Sequence, residues 1–470
     1  MDLLHVVPAT RIRWTLVLCA AAVGALASSA LAVAPAQELQ ALPVEVTTPL
    51  DFTPGGAGGS GGTAGDPPPA APSSFTLLPD YVTSVKNQSI CGSCWAFASY
   101  GAMESTILMQ GGTAQDFSEN HLKNYHGFNW LPCEGGNHYM HQAYLSRLDG
   151  PVAEADDPYH AYDDRPSPGG PRQAFLRRSI TYSTQETIKN AVMTVGALYT
   201  TMYYSSSYYD GGNDTYYYDG TSAINHAVGI VGWDDAKVVT GAPNAGAWLI
   251  KNSWGSSFGD NGYFWISYDD ARACSFGASF VADDADTAVR AYHYDRFGYI
   301  TSANTPYGYN RFTAADNEWL TAVGIYAMQD GTQYTVSVYD TVDGDDAPTG
   351  LLGSITGTLA EGFHVLDLDS DILLTTGDDF VVVLSMENGG DYPLAIDKAL
   401  AGYNSASTAS LGESFYSFDG LSWFDVVAEP GFETANFCIK AYAVPEPATM
   451  AFLGLGAAGL VLVRRRRRRA

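Results

Sequence analysis

The chain has few basic residues, and this shortage excludes one large class of function. Lys and Arg number 24 in 470 residues against 51 Asp and Glu, which gives a formal net charge of −27. A protein that binds nucleic acid needs a basic face to neutralise phosphates. We therefore expect no nucleic-acid partner. The excess of acidic residues instead favours a soluble protein and is typical of proteins that face a salt-containing medium.

The chain also lacks an apolar run of comfortable membrane-spanning length, which is about 20 residues. The first apolar run, Trp14 to Leu26, is too short and follows Arg11 and Arg13. The small residues of Ala30-Leu31-Ala32 then suit a signal peptidase. We predict a removable secretory signal over residues 1–32, with an uncleaved anchor as the alternative.

The second apolar run, Ala448–Val463, lies between Pro445-Glu446-Pro447 and the arginines 464–469. It is slightly shorter than the roughly 17–25 residues that span a membrane, and the arginines would stay on the cytoplasmic side. The order of these elements resembles the bacterial PEP-CTERM sorting signal, here residues 444–470. The resemblance implies processing by an exosortase-type enzyme and a final place at the cell surface or outside the cell, after transient anchoring in the inner membrane. A plain C-terminal anchor is the alternative, and it also implies export.

Internal repeats are missing too, so repeat architectures are not indicated. Residues 33–75 are rich in Gly and Pro and lack the apolar content of a core, which predicts a flexible linker or a short pro-region. The chain as a whole is 46% hydrophobic and 13% aromatic. This content and length are sufficient for two or three folded domains.

The segment 85–99, with the sequence VKNQSICGSCWAFAS, carries the main chemical signal. Cys94 stands at the start of a helix-compatible stretch that runs to Gln110, and Ser93 is suited to cap it. The positive end of a helix dipole lowers the pKa of a thiol and favours the nucleophilic thiolate. Gln88 can offer an amide N–H to an oxyanion, beside the backbone N–H of Cys94.

This segment resembles the signature of the papain-like cysteine peptidases, in which His and Asn lie about 130–150 residues after the cysteine. His226 begins an apolar, strand-like run 132 residues after Cys94, and Asn252 follows at 158 residues, slightly beyond that window. The resemblance implies that Cys94 is the nucleophile and His226 the acid and base. It also implies that Asn252 orients the imidazole, Trp254 shields that contact from water, and Gln88 stabilises the oxyanion.

The resemblance further implies a disulfide between Cys91 and Cys133, which leaves Cys94 free. Gly135 and Gly136 would then lie along the cleft and bind the substrate backbone, together with Trp254; an ordinary tight turn is the alternative for the two glycines.

Two further cysteines, Cys274 and Cys438, lie outside this pattern. A bond between them is left open, because sequence does not fix their geometry. The resemblance covers residues 76–284. Family members carry a long helical propeptide, for which residues 33–75 are too short, so the means of keeping the enzyme inactive is also left open.

The stretch 288–443 has a different pattern, with short alternating runs between turn residues. It predicts an all-β antiparallel sandwich that is jelly-roll-like. The stretch resembles the lectin-like domain that follows papain-like domains in some prokaryotic proteins, which implies a carbohydrate or protein ligand. The acidic turns 343–346 and 367–371 are expected to be solvated rather than to bind calcium, so no metal site is predicted.

Together these features predict an α+β papain-like domain of two lobes followed by an all-β sandwich. The predicted function is an exported cysteine endopeptidase that acts on proteins or peptides without a cofactor, and the predicted processing partners are signal peptidase and an exosortase-type enzyme. Two alternatives stay open. One is a non-catalytic surface protein for binding or adhesion, and the other is a transpeptidase on the same fold.

Overall fold

The structure is a computed structural model, and it describes residues 71–161, 169–391 and 393–446, together with the backbone of two short strands at 46–47 and 51–52. The predicted secretory signal and the apolar run 448–463 lie outside the described residues. Within the described ranges, no helix combines the length and the apolar character that crossing a membrane requires. The two short strands fall inside the segment that was predicted to be a linker.

The α-helices of the described residues all lie in the first half of the chain. They are α1 (Cys94–Met109), α2 (Glu119–Tyr125), α3 (His138–Ser146) and α4 (Gln185–Thr194). Helix α1 confirms the predicted helix and is buried nearly all round, as expected of a helix in the middle of a core. Ser93 is the N-cap residue of α1, as expected, but its side chain does not cap the helix. The Ser93 hydroxyl makes no capping hydrogen bond and instead lies 2.7 Å from the Tyr159 hydroxyl.

The first half also contains a strand-rich lobe. A hairpin of β1 (Val46–Thr47) and β2 (Asp51–Phe52) precedes this lobe in the chain. The strands of the lobe are β3 (Ser74–Thr76), β4 (Ala174–Tyr182), β5 (Leu198–Met202), β6 (Tyr209–Asp210), β7 (Thr215–Tyr216), β8 (His226–Asp234), β9 (Ala247–Lys251), β10 (Tyr263–Ser267), β11 (Gly277–Ala278) and β12 (Val281–Asp284). Strand β8 pairs with β5 on one side and β9 on the other, and α1 packs against it. All of its residues except Asp234 are buried, which explains its nearly continuous apolar sequence.

The second half is built from antiparallel strands, as predicted. They are β13 (Arg290–Tyr292), β14 (Thr301–Asn304), β15 (Tyr307–Thr313), β16 (Glu318–Ala327), β17 (Thr332–Val342), β18 (Pro348–Leu359), β19 (Gly362–Leu374), β20 (Asp379–Glu387), β21 (Pro393–Asp397), β22 (Ser414–Ser417), β23 (Phe424–Asp425), β24 (Asn436–Phe437) and β25 (Lys440–Pro445). Six of them form one sheet in the order β18-β17-β20-β15-β22-β23. The fold class predicted from the sequence, a papain-like domain followed by an antiparallel β-domain, is confirmed.

A single fourteen-stranded sheet runs through both halves of the chain. The join is the antiparallel pair β4 and β19, in which Gly362 lies opposite Ile180 and His364 opposite Arg178. One hydrophobic cluster also draws on both halves, for it holds Trp95 of α1 and Tyr442 of β25. The two halves therefore share backbone pairing and core, although their sequence patterns differ.

Candidate active site

The sulfur of Cys94 lies at the start of β8. Cys94 is the first residue of α1, and its Sγ accepts a hydrogen bond of 3.4 Å from the backbone N–H of Ala227, the residue after His226. Both Cys94 and His226 are only 4% exposed. The packing of α1 on β8 thus brings together two segments that are 132 residues apart in the chain.

His226 is held by Asn252 through its Nε2 atom. The His226 Nε2 and Asn252 Oδ1 atoms are 2.8 Å apart, and the same Oδ1 accepts the backbone N–H of Ser253 at 2.8 Å. Because that atom is an acceptor for Ser253, it is the amide oxygen, and Nε2 must donate to it. This leaves Nδ1 as the ring nitrogen that can exchange a proton with Cys94.

The environment of His226 acts on its charge in opposite directions. Burial lowers the pKa of His226 to about 4, while the hydrogen bond to Asn252 favours the charged ring. The indole of Trp254 is stacked on the imidazole, with 4.5 Å between the ring centroids and 20° between the planes. Trp254 is packed in turn by the rings of Tyr204 and Phe258, so an aromatic wall covers this side of the His226–Asn252 contact.

Gln88 is fixed at every polar group. Its backbone N–H donates to Ser253 O at 2.8 Å, and its Oε1 accepts from Ser253 Oγ at 2.6 Å. Its backbone oxygen accepts the Tyr159 hydroxyl at 2.8 Å, and its Nε2 donates to Cys91 O at 2.8 Å. The side-chain amide of Gln88 has two N–H groups. One donates to Cys91 O, and the other can donate a hydrogen bond to an oxyanion.

The implied disulfide is present between Cys91 and Cys133. It ties the turn before α1 to the segment that holds Gly135 and Gly136. Gly135 has φ +116, a backbone conformation that side chains disfavour. A Cβ atom on Gly136 would lie 2.2 Å from Cε2 of the Trp95 ring. Gly135 is therefore favoured by its backbone conformation, and Gly136 by the close approach of the chain to α1.

Cys274 and Cys438 do not form a bond with each other. Both are free and buried. Cys274 lies in the core of the strand-rich lobe, whereas Cys438 belongs to the cluster that both halves share. The bond that the sequence left open is therefore absent, since the two residues pack in different cores.

Buried charges lie behind the candidate site and were not found from the sequence. The Lys86 ammonium lies 3.2 Å from Glu104 Oε1 and 2.9 Å from Glu119 Oε1, and both carboxylates are almost fully buried. Burial raises the pKa of Glu119 to about 8, and Lys86 opposes that rise. Burial also lowers the pKa of Lys251, on β9, to about 8. The one charged residue of α1, Glu104, was the available signal for this cluster.

Two residues that hold Gln88, namely Ser253 and Tyr159, were not predicted from the sequence. Ser253 stands next to Asn252, which was the signal for it. Tyr159 is distant in sequence from the motif, so only the fold brings its hydroxyl to Gln88. Among the described residues, no group of three or more His, Cys, Asp or Glu side chains is arranged to hold a metal ion.

Cys94 at the start of α1 and His226 at the start of β8, on which α1 packs, agree with the resemblance to the papain-like cysteine peptidases. The family model for the papain family cysteine protease matches residues 71–283. The lectin-like domain model matches residues 291–443, and the PEP-CTERM protein-sorting motif matches residues 443–468.

Curated relatives align with the first half of the chain. Cathepsin K of Mus musculus is 33% identical over 202 residues, which cover 41% of this chain and 59% of the relative. The viral cathepsin of Lymantria dispar multicapsid nuclear polyhedrosis virus is 31% identical over 239 residues, which cover 48% and 61%. The chain thus spans about three-fifths of the length of these relatives.

Solved structures of one protein align with both halves. The cysteine protease and lectin-like domains of Cwp84, a surface layer associated protein of Clostridium difficile, superpose with a TM-score of 0.72 and 25% identity, over 80% of this chain and 89% of that one. Cwp84 after propeptide cleavage gives a TM-score of 0.73 and 25% identity, over 79% and 99%. The similarity to the cysteine protease and lectin-like domains of Cwp84 therefore extends over both halves of this chain.

Proposed function

We propose that this protein is an exported cysteine endopeptidase that hydrolyses peptide bonds through an acyl-enzyme on Cys94. The observation that carries the proposal is the position of the Cys94 sulfur against the first residues of β8, beside the hydrogen-bonded pair of His226 and Asn252. The domain's similarity to cysteine proteases supports the same reaction class.

In the first half-reaction, His226 takes the thiol proton at Nδ1 and the sulfur attacks the scissile carbonyl carbon. The carbonyl electron pair moves to oxygen, and the N–H groups of Cys94 and Gln88 Nε2 stabilise that negative charge. His226 then gives its proton to the leaving nitrogen, the C–N bond breaks, and the amine departs. A thioester on Cys94 remains.

In the second half-reaction, water replaces the amine. His226 takes a proton from water at Nδ1, and the resulting hydroxide oxygen attacks the thioester carbon. The C–S bond breaks, the acid product leaves, and the sulfur regains the proton from His226. Throughout both steps Asn252 keeps the ring in one orientation, and Trp254 limits the access of water to their hydrogen bond.

The substrate is a protein or peptide in an extended form. In this proposal Gly135 and Gly136 offer backbone N–H and C=O groups on one side of the cleft, since glycine lets the substrate backbone approach closely. Trp254 lies on the side of His226 and contacts the part of the substrate that leaves as the amine.

The proposal of export rests on the segments predicted at residues 1–32 and 444–470. The match to the PEP-CTERM sorting motif supports handling by an exosortase-type enzyme after a signal peptidase has removed the N-terminal signal. The surface layer association stated for Cwp84 supports a place at the cell surface. In the second half, the lectin-like domain would bind a carbohydrate or a protein and keep the peptidase near its substrates.

The test compares the mature protein with Cys94→Ala on a peptide library, with cleavage read by mass spectrometry. We expect the variant to lose activity by several orders of magnitude. A peptidyl epoxide should label the wild type at Cys94 with one equivalent and leave the variant unlabelled. Cys274→Ala, which removes another buried free thiol, is the matched control and should keep both activity and labelling.

Three outcomes contradict the proposal. Full activity in Cys94→Ala would place the chemistry elsewhere. A wild type that neither cleaves peptides nor reacts with the epoxide would be a non-catalytic binding protein. A wild type that joins the acyl group to an added amine in preference to water would be a transpeptidase.

A further inference from the structure

A loop of the second half packs against the segment that carries the two candidate substrate-binding glycines. The loop is residues 398–407, which follow β21, and we call it the tyrosine loop. The partner is residues 128–137, which precede α3, and we call it the glycine segment. The Asn129 backbone N–H donates to Tyr403 O at 2.8 Å. The Asn129 side chain also accepts from the Ser405 N–H at 2.8 Å.

The side chain of Tyr403 lies at the centre of this contact. Tyr403 is 4% exposed, and its ring centroid lies 4.8 Å from that of Phe128 and 6.0 Å from that of Trp130. Its hydroxyl accepts from Asn137 Nδ2 at 3.0 Å and lies 3.2 Å from Asn137 Oδ1. The residue that Tyr403 holds is therefore the immediate neighbour of Gly136.

Asn137 links Tyr403 to helix α3. Its Oδ1 accepts the backbone N–H of Met140 at 3.0 Å, which is the N-cap bond of α3. At the other end of the two glycines, Cys133 is fixed by its disulfide to Cys91. The Gly135–Gly136 pair thus lies between a covalent anchor from the first half and a hydrogen-bonded anchor from the second half.

Hydrogen bonds to the buried side chain of Asp397 hold the tyrosine loop in place. The buried carboxylate of Asp397 accepts Asn404 Nδ2 at 3.0 Å and Ser407 Oγ at 3.0 Å. It also accepts the backbone N–H of Phe297 at 2.9 Å. A loop held by these bonds can act as a rigid support for the glycine segment.

We propose that Tyr403 is a positioning residue for peptide binding, which holds the glycine segment so that Gly135 and Gly136 meet the substrate backbone in a fixed register. The proposal rests on the function proposed above. Two adjacent glycines have high conformational freedom, and ordering them at the moment of binding would weaken affinity. Contacts that order them in the free enzyme remove that cost. The lectin-like half is in this way part of the peptidase cleft's support.

The test uses Tyr403→Phe in the full mature chain, which keeps the ring and removes the hydroxyl. We expect KM for an extended peptide to rise roughly 3- to 10-fold, the size of one or two lost hydrogen bonds, with kcat within about twofold. The rate at which iodoacetamide alkylates Cys94 should not change, because this small reagent does not need the glycine segment. Tyr294→Phe is the matched control, since its hydroxyl donates to Arg311 O at 2.6 Å, and it should leave KM unchanged.

A second measurement does not depend on activity. Amide hydrogen exchange over the glycine segment should be faster in Tyr403→Phe and in Tyr403→Ala than in the wild type and in Tyr294→Phe. Unchanged hydrogen exchange together with an unchanged KM would overturn the proposal. A parallel fall of kcat, peptide affinity and alkylation rate would also overturn it, because such a result indicates a general loss of structure. A wild type with no peptidase activity would refute the proposed function, while the exchange measurement would still decide the role of Tyr403.

Discussion

At the scale of single residues, burial acts on the charge of His226 in one direction and three neighbouring residues act in the other. Burial lowers its pKa to about 4, but the bond to Asn252 favours the imidazolium. The stacked face of Trp254 also favours a cation, since an aromatic ring presents a negative face to it. A negative sulfur at Cys94 would add to both. Burial therefore favours the neutral ring, and in the proposed reaction a thiolate at Cys94 would favour the charged one.

The packing of Gly136 over Trp95 gives a prediction about stability. In Gly136→Ala the new methyl group would lie 2.2 Å from Cε2 of a ring that is 1% exposed, so the ring or the backbone must shift. We expect the free energy of unfolding to fall by about 1–3 kcal/mol, as for other overpacked sites. Urea denaturation measures this. Gly344→Ala is the control, because nothing lies within 4 Å of its Cβ position, and equal effects of the two variants would contradict the prediction.

At the scale of elements, the sequence predicted those whose signal is local. Helix α1 was predicted to within one residue, because the cysteine motif at its start is a local signal. The apolar run 437–443 has the sequence pattern of one strand, but in the structure its strand residues belong to two, β24 and β25. Between them the chain passes from a partner in one sheet, β21, to a partner in another, β16. Alternation within a run cannot show such a change, because it depends on distant strands.

The residues of the candidate site likewise divide into those with a sequence motif and those without one. The motifs identified Cys94, His226, Asn252 and Gln88 because family spacing links them along the chain. Tyr403 and Tyr159 had no such signal, since each reaches the site only through packing of segments that are far apart in the sequence. The sequence therefore predicted the residues of the candidate site but not Tyr403 or Tyr159, which contact the segments that carry them.

The tyrosine loop gives a prediction about pH, because burial raises the pKa of Asp397 to about 7. An aspartate in an unfolded chain has a pKa of about 3.9. Between these values the folded state keeps a proton that the unfolded state has lost, so this residue's contribution to stability is full near pH 4 and is lost as the pH rises through 7. Asp397→Asn cannot titrate, and we expect the stability of the wild type to fall relative to this variant between pH 4 and pH 8.

Chemical denaturation at several pH values gives that difference. The neighbouring buried ion pair of Asp295 and Lys440 is present in both proteins, so its effect largely cancels. Asp345→Asn, at an exposed position, is the control and should track the wild type at each pH. A difference between Asp397→Asn and the wild type that stays constant from pH 4 to pH 8 would contradict the prediction.

At the scale of the whole molecule, the sequence indicated two domains, while the structure joins them in one sheet and one shared core. Composition and periodicity separate the halves because each has its own pattern of helix and strand. The pairing of β4 with β19 could not be predicted from such local patterns, because β5–β12 of the first half and β13–β18 of the second half lie between the two strands in the chain. The pairing joins three residues of each strand, with Gly362 to His364 opposite Ile180 to Arg178.

This joint predicts that the two halves unfold together. Strand β4 pairs with β12 of its own half and with β19 of the other, so melting one half would expose a strand edge and shared apolar surface in the other. We expect one calorimetric transition for the mature chain, with the van't Hoff enthalpy equal to the calorimetric one. Two transitions in the wild type would show that the joint is too weak to couple the halves.

A pair of glycine variants separates the joint from general strain. Gly362 has φ +137, and a Cβ there would lie 2.2 Å from Ser179 O on β4, so Gly362→Ala should loosen the pairing and lower or split the transition. Gly377 has φ +88 with nothing within 4 Å, so Gly377→Ala carries a backbone penalty without the clash. If the two variants melt alike as single transitions, backbone strain alone accounts for the effect, and the β4–β19 pair does not couple the halves.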